Sequence, residues 1–206
     1  MPDCDPYTRK LNPLLIVISG PSGVGKDVII HGLQKQGYPF HFVVTATSRP
    51  KREGEVDGRD YLFVSEEEFE RMIEQGAFLE HALVYGQYKG IPKAQVRRAL
   101  DSRLDVIMRV DVQGAATVRR LVPDAVFIFL VPGSEEELVS RLKTRSSESP
   151  DHLRWRLETV RQEMEQIDQF DYVLVNRDGQ LDKTVAQLLA IITAEKCRVR
   201  QRKIQL

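Results

Sequence analysis

Between Gly20 and Asp27 the chain reads GPSGVGKD, which fits the phosphate-cradle pattern G-x-x-x-x-G-K up to its last position. Gly20, Pro21, Ser22, Gly23, Val24 and Gly25 would turn successive backbone N–H groups toward phosphate oxygens, and Lys26 would add a cation beside them. The position after the lysine normally supplies a hydroxyl to Mg²⁺, but here it is Asp27. That carboxylate is a candidate metal ligand and a departure from the pattern.

A second set lies in TATSRPKREGEVDGRDYLFV, residues 45–64. Arg49, Arg52 and Tyr61 offer two guanidinium forks and a phenol, which suit a phosphate carrying two negative charges. On composition alone an arginine-bearing loop is more often a solvated face, so the set needs support from elsewhere. The same holds for Arg141 and Arg145, four apart on a helical pattern, because Glu137 and Arg141 also make an i,i+4 ion pair.

The elements that must position these residues announce themselves by their apolar runs. LLIVIS at 14–19, DVIMRV at 105–110, AVFIFLV at 125–131 and YVLV at 172–175 read as strands buried on both faces, with helical patterns between them. That alternation predicts a three-layer α/β fold with a parallel core sheet, the phosphate loop joining its first strand to its first helix. Ser65 with Glu68 and Ser134 with Glu137 fit capping boxes that open two helices. Residues 40–91 differ, with the short strand-like pieces HFVV, YLFV and AFLEHALVY and the hairpin-like GQYKG, and predict a small mixed lobe inserted into a core of 14–39 and 92–206. TRSSESPDH, residues 144–152, is polar and rich in breakers between two helices, which suits a helical lid over about 141–156. Residues 1–13 read as a loose leader.

The 206 residues fit one domain, and 42% hydrophobic content is ample for a core. Thirty basic and thirty acidic residues balance to a formal net charge of +0, so no global field favours nucleic acid or an anionic membrane. No run approaches the length of a membrane span. Cys4 and Cys197 have no C-x-x-C or histidine companion, which argues against zinc or a disulfide framework and for a cytoplasmic location. The basic tail KCRVRQRKIQL reads as a solvated helix end, and His31, His41, His81 and His152 are scattered enough to be given no chemistry.

GPSGVGK, SRPKREGEVDGRDYLFV, FLEHALVYGQYKGIP and VDVQG occur in the order seen in guanylate kinases, and over nearly the whole chain the sequence resembles that family. The run from Arg52 to Tyr61, R-x-G-E-x-x-G-x-D-Y, is the specific part. The resemblance implies a P-loop fold that transfers the γ-phosphoryl group of ATP to GMP with Mg²⁺. It implies that Arg49, Arg52, Tyr61 and Lys89 hold the GMP phosphate, and that Glu80, Thr45 and Asp111 face the guanine. On the donor side it implies ATP at Gly20 to Asp27, with Asn176 near the nucleotide. Lys26, Arg141, Arg145 and Arg156 would neutralise the phosphoryl group in flight.

Four residues depart from the family pattern. Asp27 replaces the hydroxyl, and Arg109, in MRVDVQG, stands where the first Asp of D-[IV]-D-x-Q-G is usual; in the implied fold both flank the metal. Either Asp27 takes over the metal-side role with Arg109 as its cationic partner, or the two form an ion pair that fills the metal position. Lys89 replaces a Tyr and Ile91 a Ser or Thr, the second removing a hydroxyl that helps read guanine. Two rivals follow: a related kinase for another acceptor such as ribose 1,5-bisphosphate, suggested by Asp27 and Ile91, and a non-catalytic binding module, suggested by the altered metal site.

Overall fold

The strand β1, Leu15–Ser19, is buried at all five residues and sits in the middle of a five-stranded sheet. In the computed structural model, which describes residues 11–84, 86–145 and 150–205 and no side chains over 144–153, the phosphate loop leads from β1 into α1, Lys26–Lys35. The further elements in chain order are β2 Phe40–Val43, β3 Ala46–Thr47, β4 Leu62–Phe63, α2 Glu66–Glu74, β5 Phe78–Val84, β6 Gln87–Pro92, α3 Lys93–Asp101, β7 Asp105–Arg109, α4 Val112–Leu121, β8 Val126–Pro132, α5 Glu135–Arg145, α6 Pro150–Met164, β9 Tyr172–Asn176 and α7 Leu181–Lys196. Most of the leader lies outside the described residues.

The core sheet runs β2-β7-β1-β8-β9 and all its pairings are parallel. Alternation along β1 sends Ile16 and Ile18 to one face, against Ile29 and Leu33 of α1 and Val185, Leu188 and Ile192 of α7. Leu15 and Val17 face the other way, against Val96 and Ala99 of α3 and Ala115 and Val118 of α4. Two apolar layers on one parallel sheet make the three-layer α/β fold that the sequence predicts, and they fix the strand ends where ligands bind such sheets.

A second sheet, β4-β3-β6-β5, forms the lobe, with β5 and β6 as an antiparallel hairpin. Its small core is aromatic: Phe69 of α2 stacks on Phe78 at 4.4 Å and on Tyr88 at 5.1 Å. The lobe begins later than residue 40. HFVV contributes β2, which pairs with β7 at the edge of the core sheet, because an edge strand is half-buried and lacks the continuous apolar run of a central one. The serine half of both capping boxes forms, with the Glu68 and Glu137 amides donating to Ser65 and Ser134 at 3.1 and 3.2 Å, while the Glu137 carboxylate accepts from the Gly133 amide at 3.1 Å.

The basic tail is largely exposed from Cys197 to Arg200, but part of it is stitched to the core. Arg202 donates to the buried Glu195 at 2.7 and 3.0 Å and to the Ala125 carbonyl at 2.9 Å, and the Asn12 amide donates to Gln201 Oε1 at 2.7 Å. Nearby, Asp105 of β7 accepts from the Leu14 amide and pairs with Lys196 at 2.9 Å. Both ends of the described chain are thus fastened beneath the sheet, opposite the phosphate loop.

Candidate active site

The phosphate loop owes its shape to glycines at positions where a side chain would collide. Gly20 has φ +136°, and a Cβ there would lie 2.4 Å from the Leu130 carbonyl oxygen; Gly25 has φ +94°, and its Cβ would meet the Asn176 amide. Asn176, at the end of β9, donates to the Val24 carbonyl at 2.8 Å and so braces the loop from behind. Lys26 folds over the loop and donates to the carbonyls of Gly20 and Pro21, the latter at 3.0 Å. Burial pushes its ammonium down to about 8, against the pull of Glu163 and Asp111.

In front of the loop is a cleft of about 250 Å³, lined by Lys26 and Asp27 on one side and by Arg49, Arg52, Tyr61 and Lys89 on the other. Arg49 is nearly buried: its guanidinium is held by Glu55 through two bonds of 2.7 and 2.8 Å and lies 4.9 Å from the Tyr61 ring centre. Glu55 also accepts from the Arg52 amide at 2.8 Å, so the loop that carries both arginines is folded around one carboxylate. Lys89 faces Asp111 and Glu163, and burial lowers its pKa despite them.

Arg109, only 7% exposed, pairs directly with Asp27. It also donates to the Asp60 carbonyl at 3.0 Å and lies 4.2 Å from the centre of the Tyr61 ring. One cation therefore ties β7, the start of α1 and the acceptor-side loop together. The ion pair that the second reading of these departures requires, and that the first allows, forms.

Glu80 sits deeper, 5% exposed on β5 and behind the cleft wall. Burial, then the charge of Asp111, pushes its carboxyl up to about 8, with Lys89 pulling the other way. Asp111 caps α4 by accepting from the Gly114 amide at 2.8 Å while it lines the cleft. Thr45 is buried nearby, but its hydroxyl donates to the Arg109 carbonyl at 3.2 Å.

The cleft thus brings the Lys26 loop together with Arg49, Arg52, Tyr61, Lys89 and Asp111. The family model for guanylate kinase matches residues 12–195. The chain belongs to the guanylate kinase family. It is 52% identical to guanylate kinase 2, chloroplastic/mitochondrial, of Oryza sativa subsp. japonica, over 98% of this chain and 71% of that one. It is 45% identical to the guanylate kinase of Caldanaerobacter subterraneus subsp. tengcongensis, over 94% of this chain and 93% of the relative. Among solved structures, the guanylate kinase of Anaplasma phagocytophilum matches with a TM-score of 0.76 at 29% identity, covering 92% of this chain and 89% of that one.

Besides Glu80, Thr45, Asn176 and Pro21, which do not line the cleft, the site residues inferred from the sequence fall inside it, beside it or outside the described residues. Gly20, Ser22 to Asp27, Arg49, Arg52, Tyr61, Lys89, Asp111 and Arg156 share the cleft. Arg156, from α6, donates to the Ser22 hydroxyl at 2.9 Å. Arg141 stands apart from the cleft: it donates to the Asn176 carbonyl at 2.9 Å and to Asp178 at 2.6 Å, and lines a groove with Gly23, Gly25, Val28 and Asn176 on the outer side of the loop. The side chain of Arg145 lies outside the described residues. Two further residues take part that the sequence reading left out. Glu55 lies inside the R-x-G-E run that was valued for its arginines, and Glu163 lies two helical turns after Arg156 on the same face of α6, a spacing that could have found it.

Proposed function

We propose that the cleft is where this enzyme brings its two nucleotides together, with ATP on the loop Gly20 to Asp27 and the GMP phosphate on Arg49, Arg52, Tyr61 and Lys89. The enzyme phosphorylates GMP to GDP at the expense of ATP. The observation that carries the assignment is the opposition of two phosphate-binding sets across one cleft, Lys26 facing Lys89, Arg49 and Arg52. An oxygen of the GMP phosphate attacks the γ-phosphorus, the bond to the β,γ-bridging oxygen breaks, and ADP leaves without a covalent enzyme intermediate. Positioning and charge neutralisation by Lys26 and Arg156 supply the catalysis.

Glu80 and Asp111 are the acids on the base side. Guanine presents an N1–H and a 2-amino group, two donors that a carboxylate can accept, whereas adenine lacks both and would leave Glu80 buried and unpaired. Thr45 acts through Arg109's backbone and Asn176 through the Val24 carbonyl, so both are support residues in this reading. Arg141 belongs on the donor-nucleoside side, where its groove lies.

Asp27 and Asp111 are the residues that would hold Mg²⁺ brought in with ATP. Both present hard carboxylate oxygens to the cleft, the donor type this cation prefers, and Asp27 keeps 38% of its side chain exposed beside Arg109. The metal supplies neutralisation across the donor phosphates. The partners are small nucleotides, and the proposed location is the cytoplasm, where both are held; no helix among the described residues is long and apolar enough to cross a membrane.

ADP release with a panel of GMP, dGMP, AMP, CMP, UMP and ribose 1,5-bisphosphate, beside a Lys26→Ala control, tests the assignment. Turnover with the guanine acceptors that depends on Lys26 is expected; preference for another acceptor would refute the base-side roles. In the same assay Asp27→Ala should raise the Mg²⁺ requirement, and an unchanged requirement removes Asp27 from the metal site.

A further inference from the structure

Glu163 has no role in the reaction described above, yet it lines the cleft with Lys26. It projects from α6, and its Oε2 is buried with no hydrogen-bond partner among the described residues. Burial, the strongest influence, and the charge of Asp111 raise its pKa above the ordinary carboxylate value, whereas the Lys26 ammonium, the Ser22 amide and Lys89 favour its ionised form. A carboxylate with a bare buried oxygen beside the phosphate loop is in the company that a donor phosphate would keep: a loop amide and the loop lysine.

Its helix explains why it is there. Arg156 and Glu163 are seven residues apart, so both reach the loop from one face of α6, Arg156 to the Ser22 hydroxyl and Glu163 toward the Ser22 amide. In the empty cleft Glu163 supplies negative charge to a surface carrying Lys26, Lys89, Arg49, Arg52, Arg109 and Arg156. A polyphosphate arriving there brings several negative charges into the same low-dielectric space, and two anions cannot share one set of donors at no cost.

We propose that Glu163 is an internal competitor for the donor phosphates, an anion carried by α6 that must withdraw when ATP occupies the loop. This rests on the assignment of the loop as the donor phosphate site and adds a coupling to it. Occupancy of the loop and the position of α6 are linked, because the ligand excludes the carboxylate that α6 lays against the loop. The coupling is reciprocal, so removing the charge from Glu163 strengthens phosphate binding.

Inorganic tripolyphosphate is the probe, since it reports on the loop without a base or an acceptor. Calorimetric titrations of the wild type, Glu163→Gln, Glu163→Asp and Lys26→Ala are read beside the fluorescence of Trp155, the only tryptophan of the chain, which lies next to Arg156 on α6. Glu163→Gln is near-isosteric and should bind tripolyphosphate roughly tenfold tighter, because a like charge a few ångströms from the ligand is gone. Glu163→Asp, which keeps the charge but shortens its reach, should fall between. Tripolyphosphate should shift the Trp155 emission of the wild type, and Glu163→Gln should show part of that shift before any ligand is added. A structural support residue would weaken binding when altered, so a gain is diagnostic. Equal or weaker binding by Glu163→Gln, with Lys26 still required, overturns the competitor and leaves the loop assignment standing. Binding that ignores Lys26→Ala overturns both.

Discussion

Two buried glutamates, Glu195 on α7 against the core sheet and Glu80 on β5 of the lobe, behave in opposite ways. Glu195, on the last turn of α7, is 2% exposed and meets Arg202 twice, at 2.7 and 3.0 Å, and the Tyr172 hydroxyl at 2.7 Å. Burial raises its pKa, but those hydrogen bonds and the charges of Arg202 and Arg198 outweigh it, and its carboxyl is held below the usual range. Glu80 is 5% exposed, its carboxylate makes no hydrogen bond or ion pair among the described residues, and it is pushed up to about 8. One acid is satisfied by the fold and the other is left for a ligand to satisfy. A carboxyl group kept unpaired in a protein interior lowers stability, and under the proposed function the donors it lacks are those of guanine.

Breaking the satisfied acid's pairing should have the largest effect. Arg202→Ala leaves Glu195 buried without its main partner and is expected to lower unfolding free energy by about 3–5 kcal/mol, read by urea denaturation. Its kcat and KM at a temperature where it stays folded should match the wild type. A loss below about 1 kcal/mol would mean that Arg198 and Tyr172 suffice to hold the charge.

The same substitution type at the other acid should act on function. Glu80→Gln is expected to raise KM for GMP by roughly 10- to 100-fold, the loss of charge-assisted bonds of about 1.5–3 kcal/mol, without lowering stability. Stability should in fact rise with this change above neutral pH. With a folded pKa of about 8 against the ordinary 4.5, the buried acid costs nothing while both folded and unfolded chains hold the proton, below about pH 4.5, and costs progressively more as pH climbs toward 8. Guanine stabilises the ionised form, so binding guanosine at pH 7 should release nearly one proton and tighten as pH rises from 6 to 8. Calorimetry in two buffers of different ionisation enthalpy measures this, and guanosine avoids the titration of the GMP phosphate. Equal heats in both buffers would show that Glu80 is already ionised in the empty site.

How much of this was legible in the sequence follows from what each residue depends on. The phosphate loop is a local backbone event, set by Gly20 and Gly25 and a central apolar strand, and both read directly from spacing. The coupling of Asp27 with Arg109 was visible because two linked departures fell on one expected site. β2 was misplaced because an edge strand carries half the apolar signal of a central one. Arg202 looked like part of a solvated basic tail, since the partner that makes a charge structural, Glu195, is brought up only by the fold. Arg141 and Arg156 both sit on helical patterns near the lid, and nothing local tells which of two such arginines reaches the cleft and which turns to Asp178.

The smallest predicted effect sharpens the contrast most. Gly114 lies in the first turn of α4, where a Cβ would come within 2.7 Å of the Glu80 Oε2 and 3.2 Å of the Val110 Cβ. Its backbone is helical and accepts any L-residue, so alanine adds up to about 1 kcal/mol of helix propensity to offset the crowding. The crowded atom is the end of a side chain, which can move, and moving it turns the acid away from the base it is waiting for. Gly114→Ala should therefore leave the unfolding midpoint nearly unchanged while raising KM for GMP several-fold, with KM for ATP unaffected. If both KM values stay as they were, the position of the Glu80 carboxylate against α4 is not what reads the guanine, and the discrimination must rest on Asp111.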